Sequence, residues 1–81
     1  MTDPLYTADE AAALATTWRR LVSAGAAAVT PNTIRSWAHR GHLPPAGLDH
    51  NRRPLYARTA LARAEKATRA RALRLVGIST R

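Results

Sequence analysis

The sequence predicts a single, mainly α-helical domain in which a short β-hairpin separates the second and third of three helices. Three observations predict it: a central segment marked as a helix at both ends, a proline- and arginine-containing segment directly after it, and a last third rich in alanine, leucine and arginine. A chain of 81 residues is long enough for one domain with a modest core. We assign residues 1–76 to that domain and 77–81 to a flexible tail.

The central helix, expected over about 31–40, carries signals at both ends. Thr30 has a hydroxyl that can accept a hydrogen bond from a first-turn N–H, and Pro31 needs no N–H at the first helical position. Gly41 readily adopts the left-handed conformation that ends many helices. Between these ends, helical spacing predicts one apolar, buried stripe formed by Ile34, Trp37 and Ala38.

The remaining positions of this helix are polar or cationic, which is typical of a helix that enters the major groove of DNA. An ordinary surface helix has the same pattern, so this segment alone leaves both interpretations open. In the DNA interpretation, short polar side chains read base edges while other contacts fix the register. The candidates for base edges are Asn32, Thr33, Ser36 and His39, with phosphate or solvent as the alternative for His39 and His42.

The segment 43–56 predicts a short hairpin with a basic tip. Its middle is rich in turn-forming residues, and apolar residues stand at strand-like positions on both flanks. Its prolines exclude a central strand but permit short edge strands. Arg52 and Arg53 lie near the turn, where we expect them to reach the DNA backbone or a narrow minor groove.

The order of residues from the central helix into the hairpin is specific. It comprises Thr33, Ile34, Arg35, Trp37, Gly41, Leu43, Arg52, Arg53 and Tyr56. Together with residues 6–12, this pattern resembles the winged helix-turn-helix DNA-binding domain of the MerR superfamily, above all its small excisionase-like and phage members, over roughly 5–65. The resemblance implies that Arg35 contacts phosphate or a base early in the recognition helix. It also places Trp37 where the family has an aromatic residue that often contacts phosphate, with a core position as the alternative.

The first helix is predicted over about 8–23. Thr7 and Glu10 form a capping box at its start. The apolar residues at helical spacing are Ala11, Leu14 or Ala15, Trp18, Leu21 and Val22. Relative to the family, residues 16–29 are an apparent insertion, which either lengthens this helix or adds a short turn. Arg19 and Arg20 are expected on its outer side, in contact with solvent or phosphate.

The positive charges that give the net charge of +8 lie in the C-terminal part of the sequence. Residues 1–51 carry four arginines and four acids, so the whole excess lies in 52–81. This asymmetry indicates a polyanionic partner, with double-stranded DNA first and an anionic membrane surface second. A basic helix is predicted over 57–76, with Leu61, Ala64, Thr68, Ala72 and Leu75 on one face and little to bury in its second half. Further candidates for phosphate contacts are Arg40, Arg58 and Arg63.

Several classes of function are disfavoured. The chain has no cysteine, which excludes a disulfide, a thiol nucleophile and a cysteine-based zinc site. The three histidines lack carboxylate partners at a suitable spacing, so we expect no enzyme, metal, cofactor or small-molecule ligand. No apolar run is long enough to span a membrane, and no secretory signal is evident, which favours the cytoplasm and, when DNA is bound, the nucleoid.

Three hypotheses for function follow. The first is sequence-specific DNA binding, as a small transcription regulator or a phage-type excisionase (recombination directionality factor). The second is a protein-interaction module whose basic C-terminal helix binds an acidic partner. The third, a basic amphipathic helix at a membrane, is disfavoured by the alanine-rich and aromatic-poor composition. The last helix lacks a heptad seam, so we expect a monomer or weak dimer in solution and neighbouring copies on adjacent DNA sites.

Overall fold

The chain folds into three helices and a small antiparallel sheet. A computed structural model describes residues 3–79, with side chains described for residues 3–72. In chain order the elements are strand β1 (Leu5–Tyr6), helix α1 (Ala8–Val22), helix α2 (Pro31–His39), strands β2 (Gly47–Leu48) and β3 (Pro54–Ala57), and helix α3 (Arg58–Ser79). The predicted mainly α-helical architecture, with a hairpin between the second and third helices, is confirmed.

Helix α1 begins and ends close to the predicted positions. The Glu10 N–H donates to Thr7 Oγ1 at 3.2 Å, and the Thr7 N–H donates to Glu10 Oε1 at 2.9 Å, which completes the capping box. Residues 16–22 belong to this helix, and residues 23–30 form the loop that leads to α2. The Val29 N–H donates to Thr16 Oγ1 at 2.8 Å, so the end of the loop is tied back to the helix. This tie sets where α2 starts.

The sheet has the order β1-β3-β2, so β3 is its central strand. Strand β1 was not predicted, because two residues are too short for an alternating pattern. The expectation that the prolines exclude a central strand is wrong, since Pro54 begins β3. The pairing explains this: β1 faces only Tyr56 and Ala57, and Pro54 pairs only with Leu48 of β2. Pro54 is therefore locally at an edge, where its missing N–H breaks no ladder.

The core is built largely from small side chains. Helix α1 contributes three fully or almost fully buried alanines, which allow close approach of the other helices. The rest of the buried cluster comprises Val29, Ile34, Trp37, Leu43, Tyr56, Leu61 and Ala64. Leu21 and Val22 continue the apolar spacing noted in the sequence, but they are 79% and 54% exposed. The buried face instead passes through Ala11, Ala15 and Arg19, at four-residue spacing, and directs Leu21 and Val22 elsewhere.

A buried ion pair joins α1 to α3. Glu65 is completely buried, and Arg19 Nε donates to its Oε2 at 3.2 Å. Arg19 also donates to Thr68 Oγ1 at 2.9 Å, and Arg69 Nε lies 3.0 Å from both carboxylate oxygens of Glu65. The expectation that Arg19 lies on the outer side of α1 is therefore wrong. Its guanidinium is directed inward because α3 brings a buried carboxylate to it.

Helix α3 packs through its first half, as predicted. Leu61, Ala64 and Glu65 are buried, and Thr68 and Ala72 are half-buried on the same side. Leu75, also predicted for this face, lies outside the residues whose side chains are described. The helix continues through Gly77 to Ser79, three residues past its predicted end and into the predicted tail. A glycine inside a helix costs about 1 kcal/mol relative to alanine but does not by itself end it.

The ion pair makes the stability depend on pH in a defined direction. Burial alone raises the pKa of Glu65, but the hydrogen bonds from Arg69 and Arg19 outweigh it, so that the pKa lies below its ordinary value of 4.5. The unfolded chain therefore binds this proton more readily than the folded chain. The pair stabilises the fold fully above about pH 4.5, and this contribution is lost as the pH falls through the folded pKa.

We expect Glu65→Gln to lower the free energy of unfolding at pH 7 by roughly 3 kcal/mol, because it leaves the buried Arg19 without its counter-charge. The difference from the wild type shrinks as the pH falls below about 4.5, because the unfolded wild-type chain then binds a proton at Glu65 more readily than the folded chain does. Urea unfolding between pH 7 and pH 3 measures both effects. Arg69→Gln, which leaves Arg19 in place, is a milder companion variant with a reduced acid sensitivity. A difference that stays constant with pH would contradict this role of Glu65.

Candidate nucleic-acid interface

Helix α2 presents a polar face to solvent because its ends and its buried side are both fixed. The Thr33 N–H donates to Thr30 Oγ1 at 3.2 Å, Pro31 occupies the first turn, and Gly41 has a φ of +84° just past the helix. Ile34 anchors the opposite, buried side. Because of the helical period, the outward face carries Asn32, Ser36 and His39, with Asn32 and His39 exposed and Ser36 half-buried.

Two of the predicted contact residues have internal roles. The Thr33 hydroxyl lies 3.0 Å from that of Thr30, so this side chain takes part in the start of the helix. Trp37 is 5% exposed and belongs to the buried cluster. The guanidinium of Arg19 lies 5.6 Å from the centre of its ring, within the range of a cation–π contact. Of the two positions left open for Trp37, the structure places it in the core.

Arginines lie on both flanks of this outward face. Arg35 and Arg40 are five residues apart, which separates them by about 140° around the helix axis. Arg35 lines a cleft of about 570 Å³ together with Arg53 of the hairpin, Tyr56 and the first residues of α1; we call it the hairpin cleft. Arg40 lines a second cleft, of about 360 Å³, together with Arg71 of α3; we call it the α2–α3 cleft.

The tip of the hairpin is held by one carboxylate. The N–H groups of Asn51 and Arg53 each donate to Asp49 Oδ1 at 2.8 Å. The hydrogen bond from the Arg53 N–H, together with the one from the Asn51 N–H, lowers the pKa of Asp49. Arg52 adopts a left-handed conformation with a φ of +61°, which is uncommon for a residue other than glycine. Both arginine side chains of the tip are exposed.

The remaining predicted cations on α3 do not line either cleft. Arg58 is exposed, but its guanidinium lies 6.0 Å from the centre of the Trp18 ring and it lines neither cleft. Arg63 is exposed on α3 and also lines neither cleft. Arg71, by contrast, was not singled out from the sequence, where it is one of many arginines at similar spacing. Only its position in the cleft beside the end of α2 distinguishes it.

Within residues 3–79, no helix is long and apolar enough to cross a membrane. In the same part of the chain, no three histidine, cysteine, aspartate or glutamate side chains are close enough together to hold a metal ion.

We expect Arg52→Gly to raise the free energy of unfolding by about 0.5–1 kcal/mol, because glycine adopts a φ of +61° without steric cost. Arg53→Gly is the matched control. It removes the same charge from the neighbouring position, where φ is not positive, and it lowers the free energy of unfolding by a similar amount because the unfolded chain gains freedom. Urea unfolding of the two variants measures the difference. Equal effects would show that the conformation of Arg52 carries no strain.

Comparison with known proteins yields no relative: no family model matches the chain, and it has no significant match among curated proteins or solved structures.

Proposed function

We propose that this protein binds double-stranded DNA in a sequence-specific manner, with α2 in the major groove and the hairpin as a wing. The observation that carries the proposal is the hairpin cleft, in which Arg35 of the helix and Arg53 of the hairpin lie beside the outward face of α2. A helix of nine residues is about 13 Å long and narrow enough for a groove about 12 Å wide. Polar side chains would face the bases while arginines face the backbone.

The distribution of charge supports a polyanionic partner. Four of the five acids accept hydrogen bonds within the fold: Asp3 at the start of α3, Glu10 in the capping box, Asp49 in the hairpin turn and Glu65 in the core. Asp9 is the one acid that lines the hairpin cleft. The exposed arginines around α2 therefore face little negative charge, and the net charge of +8 favours the approach of DNA.

In this proposal the fold is a winged helix-turn-helix of the kind found in the MerR superfamily, as the pattern of residues from α2 to β3 suggests. The long α1 and the loop 23–30 distinguish the chain from that pattern. The biological role that fits such a small DNA-binding protein is transcription regulation or, as for excisionases, control of site-specific recombination. Both roles require the same primary activity, which is selective binding to a duplex.

The first test is selection of duplexes from a random pool, followed by measurement of affinity for the selected and for random DNA over a range of salt concentrations. We expect tighter binding to the selected sequence and a steep loss of affinity with salt. A protein whose basic helix binds only acidic proteins would bind neither the selected duplex nor random DNA. That result would overturn the proposal.

We expect Asn32→Ala and Ser36→Ala to lower the affinity for the selected duplex by roughly 1–3 kcal/mol, because each removes a polar group that faces base edges. Affinity for random DNA should stay nearly unchanged. Ala13→Ser, on the exposed side of α1, serves as a control for a small polar change away from the interface. Equal losses on both kinds of DNA would show that the outward face of α2 does not read sequence.

The wing should contribute charge and not selectivity. We expect the double variant Arg52→Gln with Arg53→Gln to bind every duplex more weakly, because two phosphate contacts are lost. The slope of log affinity against log salt should fall by roughly 0.9 per lost contact. The control is the replacement of Arg63 and Lys66 of α3 by glutamine, which removes the same charge from residues that line neither cleft and should leave the slope unchanged. A slope unchanged by the wing variant would mean that the hairpin does not touch DNA.

A further inference from the structure

We propose that the α2–α3 cleft is a second phosphate-binding site, which holds the DNA strand on the side of α2 opposite to the wing. The inference rests on the proposed function and deepens it, because it assigns α3 to the interface. The cleft is lined by Arg40 and His42 at the end of α2 and by Arg71 of α3, with Trp37 beside them.

The cleft has a net positive charge that the fold does not use. Among the residues whose side chains are described, the ion pairs are those of Glu65 with Arg19 and Arg69, so neither Arg40 nor Arg71 is paired. None of the described residues that line the cleft is acidic. Arg19 also reaches the cleft, but Glu65 already balances its charge. Arg40 and Arg71 therefore remain as the cations available to an external anion.

The end of α2 does not itself repel an anion strongly, because its last carbonyl groups have partners. The Trp37 carbonyl accepts from the N–H groups of His42 and Leu43, at 2.9 and 3.2 Å. The Ser36 and Ala38 carbonyls accept from the residues that follow the helix in the same way. The negative end of the helix dipole is thus partly neutralised by the turn.

The position of the cleft indicates which anion it binds. A major groove is bordered by two phosphate backbones, so a helix lying in it turns one flank to each strand. Arg35 and the wing occupy one flank, and Arg40 and Arg71 occupy the other, about 140° away around α2. An acidic peptide would need no such relation to the outward face of α2. The geometry favours DNA phosphate as the ligand of this cleft.

Arg71→Gln in the full chain is the test, with Lys66→Gln as its matched control. Lys66 is exposed on the same helix, about 140° around its axis from Arg71, and does not line the cleft. At 0.1 M salt we expect Arg71→Gln to weaken binding about eightfold and to lower the salt slope by about 0.9, on the selected and on random duplexes alike. Lys66→Gln should leave the slope unchanged. Thermal unfolding checks that both variants retain the fold.

Phosphate ethylation interference identifies the strand that is contacted. On the selected duplex, we expect Arg71→Gln to lose interference at phosphates of one strand, and Arg53→Gln to lose it at phosphates of the other strand. Three results overturn the inference while leaving DNA binding intact: a slope unchanged by Arg71→Gln, equal effects of the Arg71 and Lys66 variants, or loss on the same strand as Arg53→Gln. A wild-type protein that does not bind duplex DNA overturns both proposals.

Discussion

The arrangement of the three helices depends on the ion pairs that the buried carboxylate of Glu65 forms. It lies between Arg19 of α1 and Arg69 of α3, and the guanidinium of Arg19 lies 5.6 Å from the ring centre of Trp37 in α2. A core with several alanines offers few large side chains to orient one helix against another. Directional contacts between charged groups therefore help to orient the helices. Because buried charges are costly without a partner, each group holds the others in place.

The contacts of Arg19 also influence which side chains α3 presents at the surface. Arg19 also donates to Thr68, so it fixes the rotation of α3 one turn beyond Glu65. Arg71 follows Thr68 by three residues and therefore lies on the same side of the helix, next to Arg40. Trp37 is held from within by the same guanidinium, and this directs the opposite side of α2 outward. The placement of Arg40 and Arg71 is thus linked to the buried ion pair through Arg19, which also lines the α2–α3 cleft.

The parts of the fold that the sequence predicts are those whose causes are local. The capping box of α1, the signals at Thr30 and Gly41, and the exposure of Asn32 depend on residues only a few positions apart. The ion pair between Arg19 and Glu65 spans 46 residues, and nothing near Arg19 indicates a buried partner. The same limit applies to the candidate interface: helical period identifies the outward face of α2, whereas the position of Arg71 in the α2–α3 cleft depends on how α3 packs on the domain.

The acidic side chains stabilise the fold, whereas the left-handed backbone at Arg52 costs stability. The acids are largely taken up by caps, a turn and the core, where they stabilise the fold and remove little from the positive potential around α2. Arg52, in contrast, occupies a left-handed position that glycine would fill at lower cost. Among the residues whose side chains are described, no hydrogen bond or ion pair of the Arg52 side chain offsets this strain. In the proposed function, the exposed guanidinium of Arg52 contacts the DNA backbone from the tip of the hairpin.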